Sequence, residues 1–227
     1  SLILILVYLE PDAGTMMILA MTSFAMFFVS GSDSNHRKYT LQVLIIFVLF
    51  AGLAAIAADY RVERIHVYLH LLKTGEVKDK WDSGLQIFRI LTAVGSAGFW
   101  GRGFGNSISK HGYLVENTAF TDSIIAVIVE ELGAITGIII IASWAIFFWQ
   151  SFRIALNAPD KEGRLLAFGI GFWLTTQAIL NIGANIGLIP LTGIPLPFLT
   201  YGGSNTLVTF VGIGILLNIS RYSGNKR

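Results

Sequence analysis

The 227-residue chain is 54% apolar and 13% charged, has no cysteine and carries a formal charge of +2, with a mean hydropathy of +0.67. These values exclude a disordered chain, a disulfide scaffold, a thiolate zinc site and an ordinary cytosolic enzyme. Sixteen Lys and Arg scattered among fourteen Asp and Glu form no basic patch, which excludes nucleic acid as the partner.

The chain opens on an apolar run over 1–9 that is too short to span a bilayer and reads as the end of a truncated helix. Glu10-Pro11-Asp12-Ala13-Gly14-Thr15 then breaks the pattern, leaving Asp12 as an N-cap for the next helix or as an acid facing a site. Full spans are predicted over about 14–30, 41–58, 122–149, 165–189 and 205–220. The expected fold class is therefore an all-α polytopic membrane protein, a single membrane domain over 1–227 with a long structured extracellular loop over about 59–121. Arg37 and Lys38, then Arg153, Lys161 and Arg164, then Arg221, Lys226 and Arg227 all fall on one side of alternating spans. Retention of basic residues makes that side, and the C-terminus, cytoplasmic.

Within the long loop, 59–69 has the pattern of an interfacial helix, with Tyr60, Glu63, Arg64 and Val67 on one face and Arg61, Ile65, Tyr68 and Leu69 on another. The apolar stretch 85–94 runs into Gly95-Ser96-Ala97-Gly98-Phe99-Trp100-Gly101-Arg102-Gly103-Phe104-Gly105-Asn106, a glycine density that predicts a tight loop packed against something. Asn106 stands where a dinucleotide-binding G-x-G-x-x-G would need its third glycine, and no G-K-[ST] follows. Arg102 and Lys110 flank the loop, where they can hold a phosphate or touch lipid headgroups.

Asp122 opens the third full span, as a cap or as a carboxylate at the water boundary able to take a proton from a sugar hydroxyl. Glu130 and Glu131 lie roughly 12 Å deeper along the helix axis, where neutralisation or an internal partner is expected. In the fourth span, Gln177, Asn181 and Asn185 share one helix face, which either forms interhelical hydrogen bonds or lines a wet cavity. Gly133-x-x-x-Gly137 and Gly183-x-x-x-Gly187 read as close helix packing. His66 and His70 stand at i, i+4 without a third ligand in view, so no structural metal is assigned.

The irregular segments resemble, in order, the motifs of the SEDS family of bacterial cell-wall synthesis, the RodA, FtsW and SpoVE proteins. Leu9-Glu10-Pro11-Asp12-Ala13-Gly14-Thr15 is similar to the family's QPDLGT, and 94–106 to IGSGGLFGKGLGN. Tyr113-Leu114-Val115-Glu116, Thr121-Asp122 and Glu130-Glu131-Leu132-Gly133 are similar to YLPE, HTDFIF and EELG. The longest match runs from Asn181 through Pro190 and Thr192-Gly193-Ile194-Pro195-Leu196-Pro197-Phe198 to Tyr201-Gly202-Gly203-Ser204. Glu10, Val115 and Phe120 depart from the family's glutamine, proline and histidine.

The resemblance implies the C-terminal part of a ten-helix peptidoglycan glycosyltransferase. Such an enzyme polymerises lipid II at the outer face of the cytoplasmic membrane, with a class B penicillin-binding protein and other elongasome or divisome membrane proteins as partners. It also implies Asp122 as the catalytic base and Glu116 as a second acid. Arg102, Lys110 or a divalent cation, Mg or Mn, would stand beside the leaving phosphates, with Asp12, Gln177, Asn181 and Asn185 as further substrate-binding candidates. The rival readings are a flippase or transporter, whose critical carboxylate would be Glu130 or Glu131, and a noncatalytic scaffold.

Overall fold

The computed structural model describes residues 13–30, 38, 39, 42, 59–77, 84–108 and 119–223. Among these residues the regular structure is helical: α1 (Ala13–Val29), α2 (Asp59–Thr74), α3 (Leu85–Ser96), α4 (Ile124–Asn157), α5 (Lys161–Asn185) and α6 (Gly203–Ser223). Helices α4, α5 and α6 are long and apolar enough to cross a membrane, and α1 is a shorter apolar helix. The span expected over 41–58 lies almost wholly outside the described residues.

The chain divides into two compact units. One combines Ala145–Thr176 and Leu207–Arg227 with the chain up to Ala57. Its core is small where the helices meet, with Ala155, Ala167 and Leu216 buried under Phe147, Phe168 and Ile213. Phe168 stacks on Phe172 at 5.8 Å between ring centroids and meets the edge of Phe152 at 6.5 Å.

The other unit combines Ala58–Trp144 and Gln177–Thr206 and holds most of the candidate residues. Here α2 is more than a surface helix. Val67 is buried with Val77 and Ile87 under Leu71, Phe88 and Leu91, the Arg64 guanidinium donates to the Leu191 carbonyl at 3.2 Å, and the Tyr68 hydroxyl donates to the Leu188 carbonyl. Arg64, Val67, Tyr68 and Leu71 thus make the inward face at helical spacing, which regroups the two faces expected from the sequence. The carbonyls they hold belong to the turn after α5. That helix closes as a Schellman motif, in which Leu188 N–H bonds Gly183 O at 2.8 Å, Gly187 N–H bonds Ala184 O at 3.2 Å, and Gly187 takes φ +76°. Gly187 therefore ends the helix, where the sequence suggested helix packing.

The larger departure is in α4. The third span was expected as a plain helix with Gly133 serving helix contact, yet Gly133 has φ 86° and ψ 169° and breaks it. That conformation belongs to glycine almost alone. Replacing Gly133 by Ala is expected to cost about 1–3 kcal/mol for the backbone conformation alone, and more because its Cβ would lie 2.1 Å from the Phe99 carbonyl oxygen. Thermal unfolding in detergent checks this, with Gly137→Ala as the reference; equal midpoints for the two variants would contradict it.

Candidate functional site

A helix break strands four backbone groups, here the carbonyls of Glu130 and Glu131 and the N–H groups of Ala134 and Ile135. The glycine loop takes up all four. Arg102 N–H bonds Glu130 O at 3.0 Å, Gly103 N–H bonds Glu131 O at 2.9 Å, Ala134 N–H bonds Gly98 O at 2.9 Å and Ile135 N–H bonds Phe99 O at 3.5 Å. So close an approach leaves no room for a side chain at Gly101, whose Cβ would lie 2.2 Å from Glu131 O.

The two carboxylates hold the remainder of the loop. Glu131, 8% exposed, accepts from Gly105 N–H at 2.9 Å and Ser107 N–H at 3.3 Å. Glu130, 1% exposed, accepts from the Ser107 hydroxyl at 2.6 Å and Ile108 N–H at 3.2 Å and faces the Arg102 guanidinium at 3.7 Å. A buried carboxylate is tolerated when donors surround it, and bonds to ionised acceptors are the stronger kind. The internal partners expected for these two acids are therefore the loop itself.

Asp122 lies in the turn just before α4, with a partly exposed side chain whose Oδ1 accepts from the Thr121 hydroxyl at 3.0 Å. Its backbone is fixed from elsewhere. The amides of Asn181 and Asn185 donate to the Asp122 carbonyl at 2.7 and 2.8 Å, the Thr200 hydroxyl donates to the Thr121 carbonyl at 2.8 Å, and Tyr201 N–H donates to the Phe120 carbonyl at 2.8 Å. Asn181 also donates to Ile194 O at 2.7 Å, and Gln177 to Pro195 O at 3.0 Å and Asn205 Oδ1 at 3.3 Å. The amide face thus clamps the Asp122 turn to the Pro-rich turn. Thr200, which bonds Leu196 N–H at 2.7 Å as well as Thr121 O, is a clamp residue that sequence reasoning missed. A lone Thr between Leu and Tyr gives no periodic signal.

Asp12, Lys110 and Glu116 lie outside the described residues. His70 is occupied locally, with Nδ1 3.1 Å from Glu76 O and 3.2 Å from the Thr74 hydroxyl. Among the described residues no group of three His, Cys, Asp or Glu side chains is placed to hold a metal ion.

A profile of the family described as "Cell cycle protein", comprising FtsW, RodA and SpoVE, matches residues 1–225. The chain belongs to this family. It is 41% identical over 219 residues to stage V sporulation protein E of Bacillus subtilis (strain 168), covering 96% of this chain and 57% of that protein. It is 37% identical over 219 residues to a probable peptidoglycan glycosyltransferase FtsW of Halothiobacillus neapolitanus, covering 95% and 50%. The chain thus spans about half the length of the curated relatives it matches. A solved structure described as "Structural coordination of polymerization and crosslinking by a peptidoglycan synthase complex" superposes with a TM-score of 0.72 at 24% identity, covering 99% of this chain and 60% of that one, and shows the shared fold. Of the motifs, Glu130–Gly133 corresponds to the helix break, 94–106 to the loop that repairs it, and Thr121-Asp122 and 181–204 to the clamped turns, whereas 9–12 and 113–116 lie outside the described residues.

The clamp makes a prediction. Asn181→Leu strands the Ile194 carbonyl and takes one of the two amide donors from the Asp122 carbonyl, which Asn185 still serves. Loss of these buried hydrogen bonds, at about 1–3 kcal/mol for the unsatisfied group, should lower unfolding stability and speed amide exchange in 119–123. An exchange pattern there identical to the unsubstituted protein would contradict the clamp.

Proposed function

We propose that the full-length protein is a peptidoglycan glycosyltransferase that polymerises lipid II at the outer face of the cytoplasmic membrane, with its C-terminus in the cytoplasm. The observation that carries this reading is the division of labour among the acids. Glu130 and Glu131 are engaged by loop donors inside the protein, whereas the Asp122 carboxylate stands at a helix start on a backbone held by two amides. Family membership and relatives named as probable peptidoglycan glycosyltransferases support the chemistry. A transporter working through the deeper carboxylates would have to release them from the loop they hold.

In this reading Asp122 takes the proton of an acceptor sugar hydroxyl as its oxygen attacks the anomeric carbon of the donor, and the bond to the lipid pyrophosphate breaks with its electron pair leaving on the phosphate. Arg102 and Lys110 would neutralise that leaving group, and Glu116 and Asp12 would bind the sugars, while Gln177, Asn181 and Asn185, buried and bonded to protein carbonyls, would act only by fixing the Asp122 turn. A divalent cation, Mg or Mn, bound beside the leaving phosphates would supply the same charge neutralisation. The proposed partner is a class B penicillin-binding protein, in keeping with the peptidoglycan synthase complex whose fold is shared, together with other membrane proteins of elongation or division.

The test is polymerisation of labelled lipid II by the full-length protein with its cognate transpeptidase. Asp122→Asn, at equal folded amounts, is expected to lower strand synthesis by at least 10²-fold, the scale of a lost general base. Equal product from both proteins would remove Asp122 as the base. No product from either would favour transport or scaffolding.

A further inference from the structure

The glycine loop that repairs α4 presents large aromatic side chains outward: Phe99, Trp100 and Phe104 are 73%, 84% and 86% exposed. Its backbone is the opposite. Every amide N–H from Gly101 to Ile108 apart from that of Phe104 has an acceptor within the protein, either an α4 carbonyl, a Glu130 or Glu131 carboxylate oxygen, or a carbonyl of 97 or 103. Water would satisfy such donors without help, and recruiting two buried carboxylates for the task makes physical sense where water is scarce.

The position of the loop along α4 agrees. Apart from Glu130 and Glu131 the only charged residue of α4 is Arg153. The 19 residues between Gly133 and Arg153 carry no charge, which is about the length a helix needs to cross a hydrocarbon core. The loop is bonded to the residues at the start of that stretch, where a membrane-spanning segment meets the headgroup layer. Leu132, Ile135 and Ile138 of α4 are exposed apolar side chains as well.

We infer that the segment 98–108 is seated in the lipid bilayer at the boundary between headgroups and acyl chains. Its Trp and Phe side chains enter the upper acyl region, and Arg102, whose side chain is 36% exposed, lies at headgroup level. Aromatic rings with a nearby cation are the side chains that this layer favours. The occupant of the aromatic face is lipid, and the loop acts as a depth gauge that sets the height of α4, and of Asp122 at its start, relative to the membrane surface.

The experiment places the full-length protein in phosphatidylglycerol–phosphatidylcholine vesicles and reads the tryptophan fluorescence that Trp100→Phe removes. Lipids brominated at acyl carbons 6 and 7 should quench this component more than lipids brominated at 11 and 12, and aqueous iodide should quench it little. Phe104→Trp in the Trp100→Phe background should report the same ordering, which guards against local distortion at position 100. Strong iodide quenching with no bromolipid effect would put the loop in water, and resistance to both would mean that other protein covers it. Either result overturns the inference, as does stronger quenching from carbons 11 and 12.

Discussion

Within the unit that carries the candidate site, the structure depends on the exchange of hydrogen bonds at Gly133. A membrane helix is ordinarily self-sufficient, because each polar backbone group left open in hydrocarbon costs several kcal/mol. Breaking α4 opens two carbonyls and two N–H groups at once, and the loop ahead of it returns a matching pair of donors and acceptors. The match works only if two backbones nearly touch, which is why Gly101 faces the Glu131 carbonyl and Gly133 faces the Phe99 carbonyl. Glu130 and Glu131 then extend the repair beyond the break, using charged acceptors to hold donors that no helix or strand would serve.

This arrangement assigns different work to acids that look alike in sequence. The two glutamates sit in an apolar helix, where a carboxylate ordinarily marks a pathway. Here their oxygens are bonded to a loop more than twenty residues away in the chain. Asp122 is treated in the reverse way. Its backbone is immobilised by Asn181, Asn185 and the neighbouring Thr200 and Tyr201 contacts, which leaves the side chain as the adjustable part. A carboxylate carried on a rigid turn has little orientation entropy left to lose when it meets a hydrogen-bonding partner.

Much of the fold was legible because it is local. Hydropathy over twenty residues finds the long helices, glycine density finds the tight loop, and i, i+4 spacing puts Gln177, Asn181 and Asn185 on one face. The sequence left open whether that face bonds protein or lines a cavity; the Nδ2 and Nε2 groups donate to protein carbonyls. The break in α4 was not legible. A glycine four residues from another fits close helix packing as well as it fits a positive φ, and only the distant Phe99 carbonyl separates the two. The same holds for Arg64 and Tyr68, whose partners at Leu191 and Leu188 lie across the chain, and for Thr200. What escaped sequence reasoning was pairing at long sequence separation, which periodicity does not encode.

The most direct measurement of this account is amide hydrogen exchange over 98–108 and 130–135 in the full-length protein in lipid nanodiscs, compared with the double variant Glu130→Ala, Glu131→Ala. The account predicts slow exchange in both segments of the unsubstituted protein and coordinated acceleration of both in the variant, while the remote helix α6 keeps its protection. Rapid loop exchange in the unsubstituted protein, or a loop equally protected without the two carboxylates, would contradict the claim that they hold the repaired helix together.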